Sequence, residues 1–150
     1  MVLRVALGAV YTAMAVGQMA SLGHMPRILS SYGLVTGGAA TVLAVALIAG
    51  EAVCGAWFLV RPRSKALAPV WVYTGVSLVW TGLAVQAYAR GLTVANCGCF
   101  GIHLTQRLSW IVLLQDALAL LYAAVLIHSA LVVRRRVEPL RPPGACPGAW

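Results

Sequence analysis

The chain has 150 residues, of which 61% are hydrophobic and only 9% are charged, and its mean hydropathy is +0.89. Soluble domains carry about 25% charged residues, so this composition excludes an ordinary soluble globule and favours a single lipid-embedded domain. The net charge of +8 does not indicate a nucleic-acid partner, because the basic residues cluster at the ends of apolar runs and form no basic stripe. We therefore expect an integral protein of a lipid membrane.

Four apolar runs are long enough to cross a bilayer as helices. A crossing needs roughly 20 apolar residues, and the runs cover residues 5–20, 39–60, 66–89 and 108–133. No Lys or Arg interrupts any of them. The sequence therefore predicts an all-α fold, an integral membrane four-helix bundle that forms one domain over residues 1–133. Residues 134–150 are predicted to be a basic, Pro- and Gly-rich disordered tail in the cytoplasm.

The first predicted helix and the loop after it contain two polar candidates. Small residues recur at four-residue spacing in this helix, at Ala9, Ala13 and Gly17. This spacing favours close packing against another helix. Gln18 lies near the outer end of the helix, and a short interfacial helix is predicted over residues 25–32. His24, just before that segment, is a candidate auxiliary residue, with an ordinary exposed histidine as the alternative.

Two acidic residues lie inside the predicted spans. Glu51 is about halfway along the second helix, and Asp116 is about two turns into the fourth. A carboxylate in hydrocarbon costs several kcal/mol unless it is neutral, paired or hydrated, so both are candidates for a functional site. Gln86, near the outer end of the third helix, lies close in depth to Asp116. Cys54, one turn from Glu51, is either a small buried hydrophobe or an auxiliary redox thiol.

The Lys and Arg residues predict the orientation in the membrane. Arg4 precedes the first run, three basic residues lie between the second and third runs, and four arginines follow the fourth, whereas the two other loops contain only Arg27, Arg90 and Arg107. By the positive-inside rule both termini are cytoplasmic, and the loop of residues 90–107 faces outward from the cell (inner or plasma) membrane. Disulfides persist on that side. A cleaved signal peptide over the first run is the alternative, but the run exceeds the roughly 7–15 apolar residues usual for one.

The outward loop contains the motif Asn96-Cys97-Gly98-Cys99-Phe100-Gly101, in which one glycine separates two cysteines. At this separation the α-carbons lie near the upper end of the distance that a disulfide tolerates, so the ring would be strained and labile. A structural disulfide is most useful across a long loop, and a ring this small constrains almost nothing. The motif therefore favours a disulfide that opens and closes. Arg90 and Arg107, at the ends of the loop, favour its thiolate form.

A metal site is the main alternative for the same loop. Cys97, Cys99 and His103 form a Cys-x-Cys-x3-His pattern, and His24 would complete two sulfur and two nitrogen ligands. Such a set suits zinc or a soft metal, although the spacing differs from the usual Cys-x2-Cys arrangement. Two functions outside redox chemistry therefore stay open: a metal-binding or transport protein, and a non-catalytic assembly subunit of a membrane complex.

Over residues 1–133 the chain resembles the methylamine utilisation protein MauE family, within the wider DoxX-like four-helix membrane proteins. The resemblance rests on the four short helices, the Cys-Gly-Cys-Phe-Gly motif of residues 97–101, Trp110, and the acids Glu51 and Asp116. MauE proteins are associated with maturation of the small subunit of methylamine dehydrogenase, a periplasmic protein rich in disulfides. The resemblance implies a thioredoxin-like extracytoplasmic partner, or a secreted client that contains cysteines.

Together these features predict a membrane thiol–disulfide exchange protein, a candidate oxidoreductase that supports disulfide formation or maturation of exported proteins. Cys97 and Cys99 are its predicted catalytic pair, and no metal is assigned. A membrane quinone is the natural acceptor for the electrons of the reduced pair, since it dissolves at the same depth. Quinone hydrogen bonding or proton transfer is assigned to the polar residues of the spans, Gln18, Glu51, Gln86 and Asp116.

Overall fold

The structure, a computed structural model, describes residues 2–64 and 66–137, without the side chains of residues 130 and 133–137. The described chain forms five helices, which are α1 (Val2–Ala20), α2 (Met25–Ser30), α3 (Gly37–Val60), α4 (Ala68–Ala89) and α5 (Trp110–Val137). Four of them, all except α2, are long and apolar enough to cross a membrane, and the described residues contain no strand. The predicted all-α, four-helix membrane fold is confirmed.

The bounds of the four long helices differ from the predicted ones by only a few residues. The largest difference is at the end of α5, which continues to Val137 and so includes the first residues of the predicted tail. The remainder of that tail, residues 138–150, lies outside the described residues. The cytoplasmic placement of the termini stays a prediction from the basic residues.

Helix α3 lies at the centre of the bundle, where it packs against α1, α2 and α4, while α5 packs against α4. Helices α1 and α3 approach most closely at two glycines. A Cβ on Gly8 would lie 3.0 Å from the Gly55 carbonyl oxygen, and a Cβ on Gly55 would lie 2.8 Å from the backbone nitrogen of Thr12. The absence of side chains at Gly8 and Gly55 therefore allows the two backbones to touch.

The predicted packing stripe on α1 is wrong in two of its three residues. Ala9 and Ala13 are exposed, whereas Gly8 is buried. Successive residues of a helix are about 100° apart, so a stripe that is displaced by one residue faces a different direction. Gly17 does make a close contact, but with the backbone of Phe100 in the cysteine loop and not with another helix.

Aromatic side chains join the four long helices in the interior. The ring centroid of Tyr73, on α4, lies 5.0 Å from the ring centroid of Tyr11 on α1 and 5.9 Å from that of Phe58 on α3. Its hydroxyl donates a hydrogen bond to the carbonyl of Ala119 on α5 at 2.9 Å. Large apolar side chains also cover the outside of the bundle. A protein that is apolar inside and outside requires a lipid surrounding.

The segment after α1 and the loop between α4 and α5 meet at one end of the bundle. The predicted short helix after α1 is confirmed over Met25–Ser30, and Met25 and Leu29 are fully buried. The loop between α4 and α5 folds back on itself, with the Cys97 amide donating to the Gln106 carbonyl at 2.8 Å. These contacts hold the cysteine motif against α1 and α2.

Candidate functional site

Asn96 shapes the turn that carries both cysteines. Its side-chain oxygen accepts a hydrogen bond from the Gly98 amide at 3.0 Å, which is an Asx turn. Its side-chain nitrogen donates to the Gly101 carbonyl at 2.8 Å. The Asn96 side chain therefore holds the backbone of the motif at both Gly98 and Gly101.

The glycines of the motif allow the loop to lie directly on α1 and α2. Gly98 has φ +83°, and a Cβ there would lie 2.9 Å from the Cγ2 atom of Ile28. Gly101 has φ +64°, and a Cβ there would lie 2.7 Å from the Gly17 carbonyl oxygen. Positive φ values strain any residue with a side chain, so both the conformation and the contacts require glycine.

Two buried side chains from outside the loop hold the cysteine backbone. The Tyr32 hydroxyl donates to the Cys97 carbonyl at 2.9 Å, and the Gln18 amide donates to the Cys99 carbonyl at 3.0 Å. Gln86 in turn donates to the Tyr32 carbonyl at 2.6 Å. Each cysteine is thus fixed by its own backbone anchor, independently of any bond between the sulfurs.

The two sulfurs are unbonded thiols 3.2 Å apart that share a hydrogen bond. Cys97 is 1% exposed, whereas Cys99 is half-buried, so Cys99 is the more exposed of the two residues. The hydrogen bond with Cys99 lowers the pKa of Cys97 from 9.0 to about 7, against the effect of burial. Sharing that bond, together with burial, raises the pKa of Cys99 well above 9.0. The pair therefore combines a buried cysteine of lowered pKa with a more exposed neighbour.

Glu51 lies below this pair in a closed hydrogen-bonded cluster. Its carboxyl oxygen Oε1 accepts a hydrogen bond from the Trp80 indole nitrogen at 2.7 Å, and the Gln18 side chain lies within hydrogen-bonding range. Glu51 Oε2 and Gln18 Oε1 are both buried acceptors without a donor. A proton on Glu51 would supply an O–H donor to this cluster of unpaired acceptors. A neutral Glu51 thus completes a chain from Trp80 to the Cys99 carbonyl.

Asp116 belongs to a different part of the site. It is half-buried on α5, and it lines the same cavity as Cys99. Among the described residues, no group hydrogen-bonds to its carboxyl. The two predicted membrane acids therefore have separate surroundings, one enclosed and one open.

A family model described as methylamine utilisation protein MauE matches residues 1–129. The chain belongs to the MauE family. The matched range includes the cysteine motif, both membrane acids and four helices long and apolar enough to span the membrane. No curated protein and no solved structure gives a match. The wider DoxX-like grouping stays a prediction.

The predicted auxiliary residues of this MauE-family chain do not join the cysteine pair. His24 and His103 are exposed, and Cys54 is fully buried on α3, where its thiol donates to the Glu51 carbonyl at 3.5 Å. Within residues 2–64 and 66–137, no three His, Cys, Asp or Glu side chains are placed to hold a metal ion. The metal alternative for the loop therefore lacks a ligand set here.

Three residues of the MauE-family site have roles that the sequence did not indicate. Tyr32 anchors Cys97, Trp80 binds Glu51, and Asn96 closes the turn. Only Asn96 carried a usable signal, since an Asn two residues before a Gly is typical of an Asx turn. The other two contacts join distant segments and leave no local pattern.

Proposed function

We propose that this MauE-family chain exchanges disulfides with exported proteins through Cys97 and Cys99. The observation that supports this most is the contrast between the two neighbouring thiols. Their sulfurs lie 3.2 Å apart, with one enclosed and the other half-exposed. A disulfide needs about 2.05 Å between sulfurs, so the two sulfurs must move closer together for the bond to form.

The exchange begins with the Cys97–Cys99 disulfide. A client thiolate attacks the accessible Cys99 sulfur, the Cys97–Cys99 bond breaks, and Cys97 leaves as a thiolate. A low pKa makes a better leaving group, and the pKa of Cys97 is lowered to about 7. A second client thiolate then attacks the client sulfur of the mixed disulfide and releases Cys99. The client gains one disulfide, and the pair gains two electrons.

A purely structural disulfide is a poorer explanation of the same loop. Asn96, Tyr32 and Gln18 already hold the turn through hydrogen bonds while both thiols are free. A ring across one intervening residue would add almost no constraint. A disulfide between Cys97 and Cys99 is therefore better explained by reversible exchange than by stabilisation of the fold.

The chemistry of the loop also suits a cysteine-containing protein client. Ile102 and Leu104, shortly after Cys99, are 45% and 64% exposed, which gives an incoming chain apolar contacts beside the accessible sulfur. This loop then lies on the extracytoplasmic side of the cell membrane, as the distribution of basic residues predicts. The partner is then a thioredoxin-like protein or a secreted client, with the methylamine dehydrogenase small subunit as the case that the resemblance to MauE proteins implies.

Oxidation of a model client tests the proposal. Purified oxidised protein in nanodiscs is mixed with an equimolar, reduced peptide that contains two cysteines, and products are separated after acid quenching. We expect peptide oxidation matched by loss of the Cys97–Cys99 disulfide, and none with Cys99→Ser. Cys54→Ser is the matched control and should behave as the parent protein. Peptide that stays reduced with the parent protein would refute the proposal.

A further inference from the structure

A cavity of about 780 Å³ lies between α1, α4 and α5. Helices α1 and α5 make few direct contacts, so the cavity occupies the seam that they leave open. Apolar side chains from both helices form its walls, among them Leu7, Val10, Met14, Leu118 and Val125. Val10, Leu118 and Val125 of this set are exposed at the surface of the bundle. The cavity is therefore continuous with the surrounding bilayer.

One group of polar side chains in the cavity lies beside the cysteine loop, while the hydroxyls of Tyr11, Tyr73, Ser77 and Tyr122 lie elsewhere in its lining. Cys99, Gln106, Gln115 and Asp116 all contribute to its lining. The Gln106 amide donates to the Gln115 side-chain oxygen at 3.2 Å, whereas Asp116 has no hydrogen-bond partner among the described residues. The cavity therefore has an apolar part between α1 and α5 and a polar end that includes Cys99.

We infer that this cavity binds a membrane quinone, with its head group at the end formed by Cys99 and Asp116. Small-molecule sites are usually apolar clefts of about 300–1,000 Å³ with a few placed polar groups, and this cavity fits that description. The isoprenoid tail follows the apolar seam between α1 and α5. The head group lies where Asp116, when protonated, can donate a hydrogen bond to a quinone carbonyl.

The electron balance supports a quinone over an ordinary lipid. This inference rests on the proposed thiol–disulfide exchange, which leaves Cys97 and Cys99 reduced after each client. Closing their disulfide releases two electrons and two protons, and reducing a quinone to a quinol takes up the same number of each. A phospholipid chain would fill the apolar slot equally well, but it accepts no electrons and uses none of the polar groups.

The placement of this site differs from the one that the sequence suggested. Gln18 and Gln86 are not among the residues that line the cavity, and their side-chain amides bind the Cys99 and Tyr32 carbonyls. Asp116 is the one predicted quinone-binding residue that lines it. We therefore assign the contact with the quinone head group to Asp116.

A binding experiment with two matched variants tests the location. Decylubiquinone and menaquinone-2 are titrated into the detergent-solubilised full chain, and binding is followed by quenching of tryptophan fluorescence, since Trp80 lines the cavity. Ala119→Phe fills the cavity and should weaken binding at least tenfold. Ala124→Phe, on the exposed side of the same helix, should leave binding unchanged. Failure of both quinones to bind, equal weakening by both variants, or equal competition by decanol would each overturn the site.

A single-turnover experiment separates this inference from the proposed function. The pre-reduced protein, freed of reductant, should reduce the bound quinone once, and Asp116→Asn should slow that step at least tenfold. The oxidised parent protein should also oxidise the two-cysteine peptide in the absence of quinone. Normal peptide oxidation without any quinone reduction would overturn the quinone site alone. Absence of peptide oxidation in the parent protein would instead refute the exchange function.

Discussion

Gln18, on α1, donates a hydrogen bond from its side-chain amide to the carbonyl of Cys99, 81 positions later in the chain, at 3.0 Å. The Gln18 side chain also lies within hydrogen-bonding range of the Glu51 carboxyl on α3. Since Gln18 and Glu51 are both 0% exposed, water cannot replace either contact. The position of the accessible cysteine is thereby coupled to a buried acid in the middle of the membrane.

Substitution of Glu51 tests that coupling. Glu51→Gln should keep the free energy of unfolding within about 1 kcal/mol, because an amide accepts from Trp80 and donates to Gln18 as a protonated carboxyl does. Glu51→Ala should lower it by about 2–4 kcal/mol, since the variant leaves a buried donor and a buried acceptor unsatisfied and opens a cavity. Unfolding in mixed detergent–SDS micelles measures both changes.

The exposed neighbour Val53 provides the control for these variants. Val53→Ala should change the free energy of unfolding by no more than about 0.5 kcal/mol. If Glu51→Gln destabilises the protein as much as Glu51→Ala, the neutral carboxyl is ruled out. If Glu51→Gln is stable but blocks quinone reduction, the proton-relay role predicted from the sequence is supported.

Gly98 is a backbone position that we expect to tolerate a side chain poorly. Gly98→Ala should cost at least about 1–2 kcal/mol, because φ is +83° and the new methyl group meets Ile28. Peptide oxidation should slow as well, since the turn that holds both sulfurs must shift. Unfolding and single-turnover oxidation are the measurements.

Gly82→Ala is the matched control for Gly98. Gly82 is an exposed residue of α4 with open space around it, so alanine there should be neutral or stabilise by up to about 1 kcal/mol. Adding Ile28→Ala to Gly98→Ala should restore the part of the unfolding free energy that is lost through the clash with Ile28. The part lost through the positive φ of residue 98 should remain. Wild-type stability and oxidation in Gly98→Ala would contradict the described turn.

The two hydrogen bonds of Asn96 can be separated by substitution. Asn96→Asp keeps the oxygen that accepts from the Gly98 amide but loses the donor to the Gly101 carbonyl, whereas Asn96→Ala loses both. Hydrogen exchange of the Gly98 amide should therefore accelerate at least tenfold in Asn96→Ala and stay slow in Asn96→Asp. Equal exchange rates in the two variants would show that Asn96 does not form the turn.

The low pKa of Cys97 depends on its neighbour. In a background without Cys54 and Cys146, the ultraviolet absorbance of the thiolate should rise with a midpoint near pH 7, so that the thiolate forms as the pH increases from 6 to 8. Cys99→Ala removes the hydrogen bond and leaves burial unopposed, so the pKa of Cys97 should return to 9.0 or above. A midpoint near 9 in the presence of Cys99 would contradict the shared hydrogen bond.

The parts of the fold that the sequence predicted are those that depend on neighbouring residues. Length and hydropathy placed all four spans, because crossing a bilayer requires a continuous apolar run. The packing stripe on α1 failed because apolar residues face both lipid and protein, so composition does not show which face of a helix meets its partner. Ala9 and Ala13 follow the right spacing and yet lie on the exposed side.

The sequence predicted which reactive residues the site contains. It did not predict which distant residues contact them. The Cys-Gly-Cys motif and the two membrane acids stand out because such residues are rare inside or between apolar runs. The contacts of Tyr32 with Cys97, over 65 positions, and of Trp80 with Glu51 arise from folding alone. The cavity beside Asp116 likewise depends on how α1 and α5 diverge, which no local pattern encodes.

Thiol trapping in intact cells tests the central claim most directly. Cells are acid-quenched, free thiols are alkylated with a mass tag, and the chain is examined by non-reducing electrophoresis with and without prior reductant. We predict that the Cys97–Cys99 pair occurs in both redox forms, and that Cys97→Ser accumulates a mixed disulfide through Cys99 which the double serine variant lacks. A pair that stays fully oxidised, resists reductant and gives no mixed disulfide in Cys97→Ser would contradict exchange by this site.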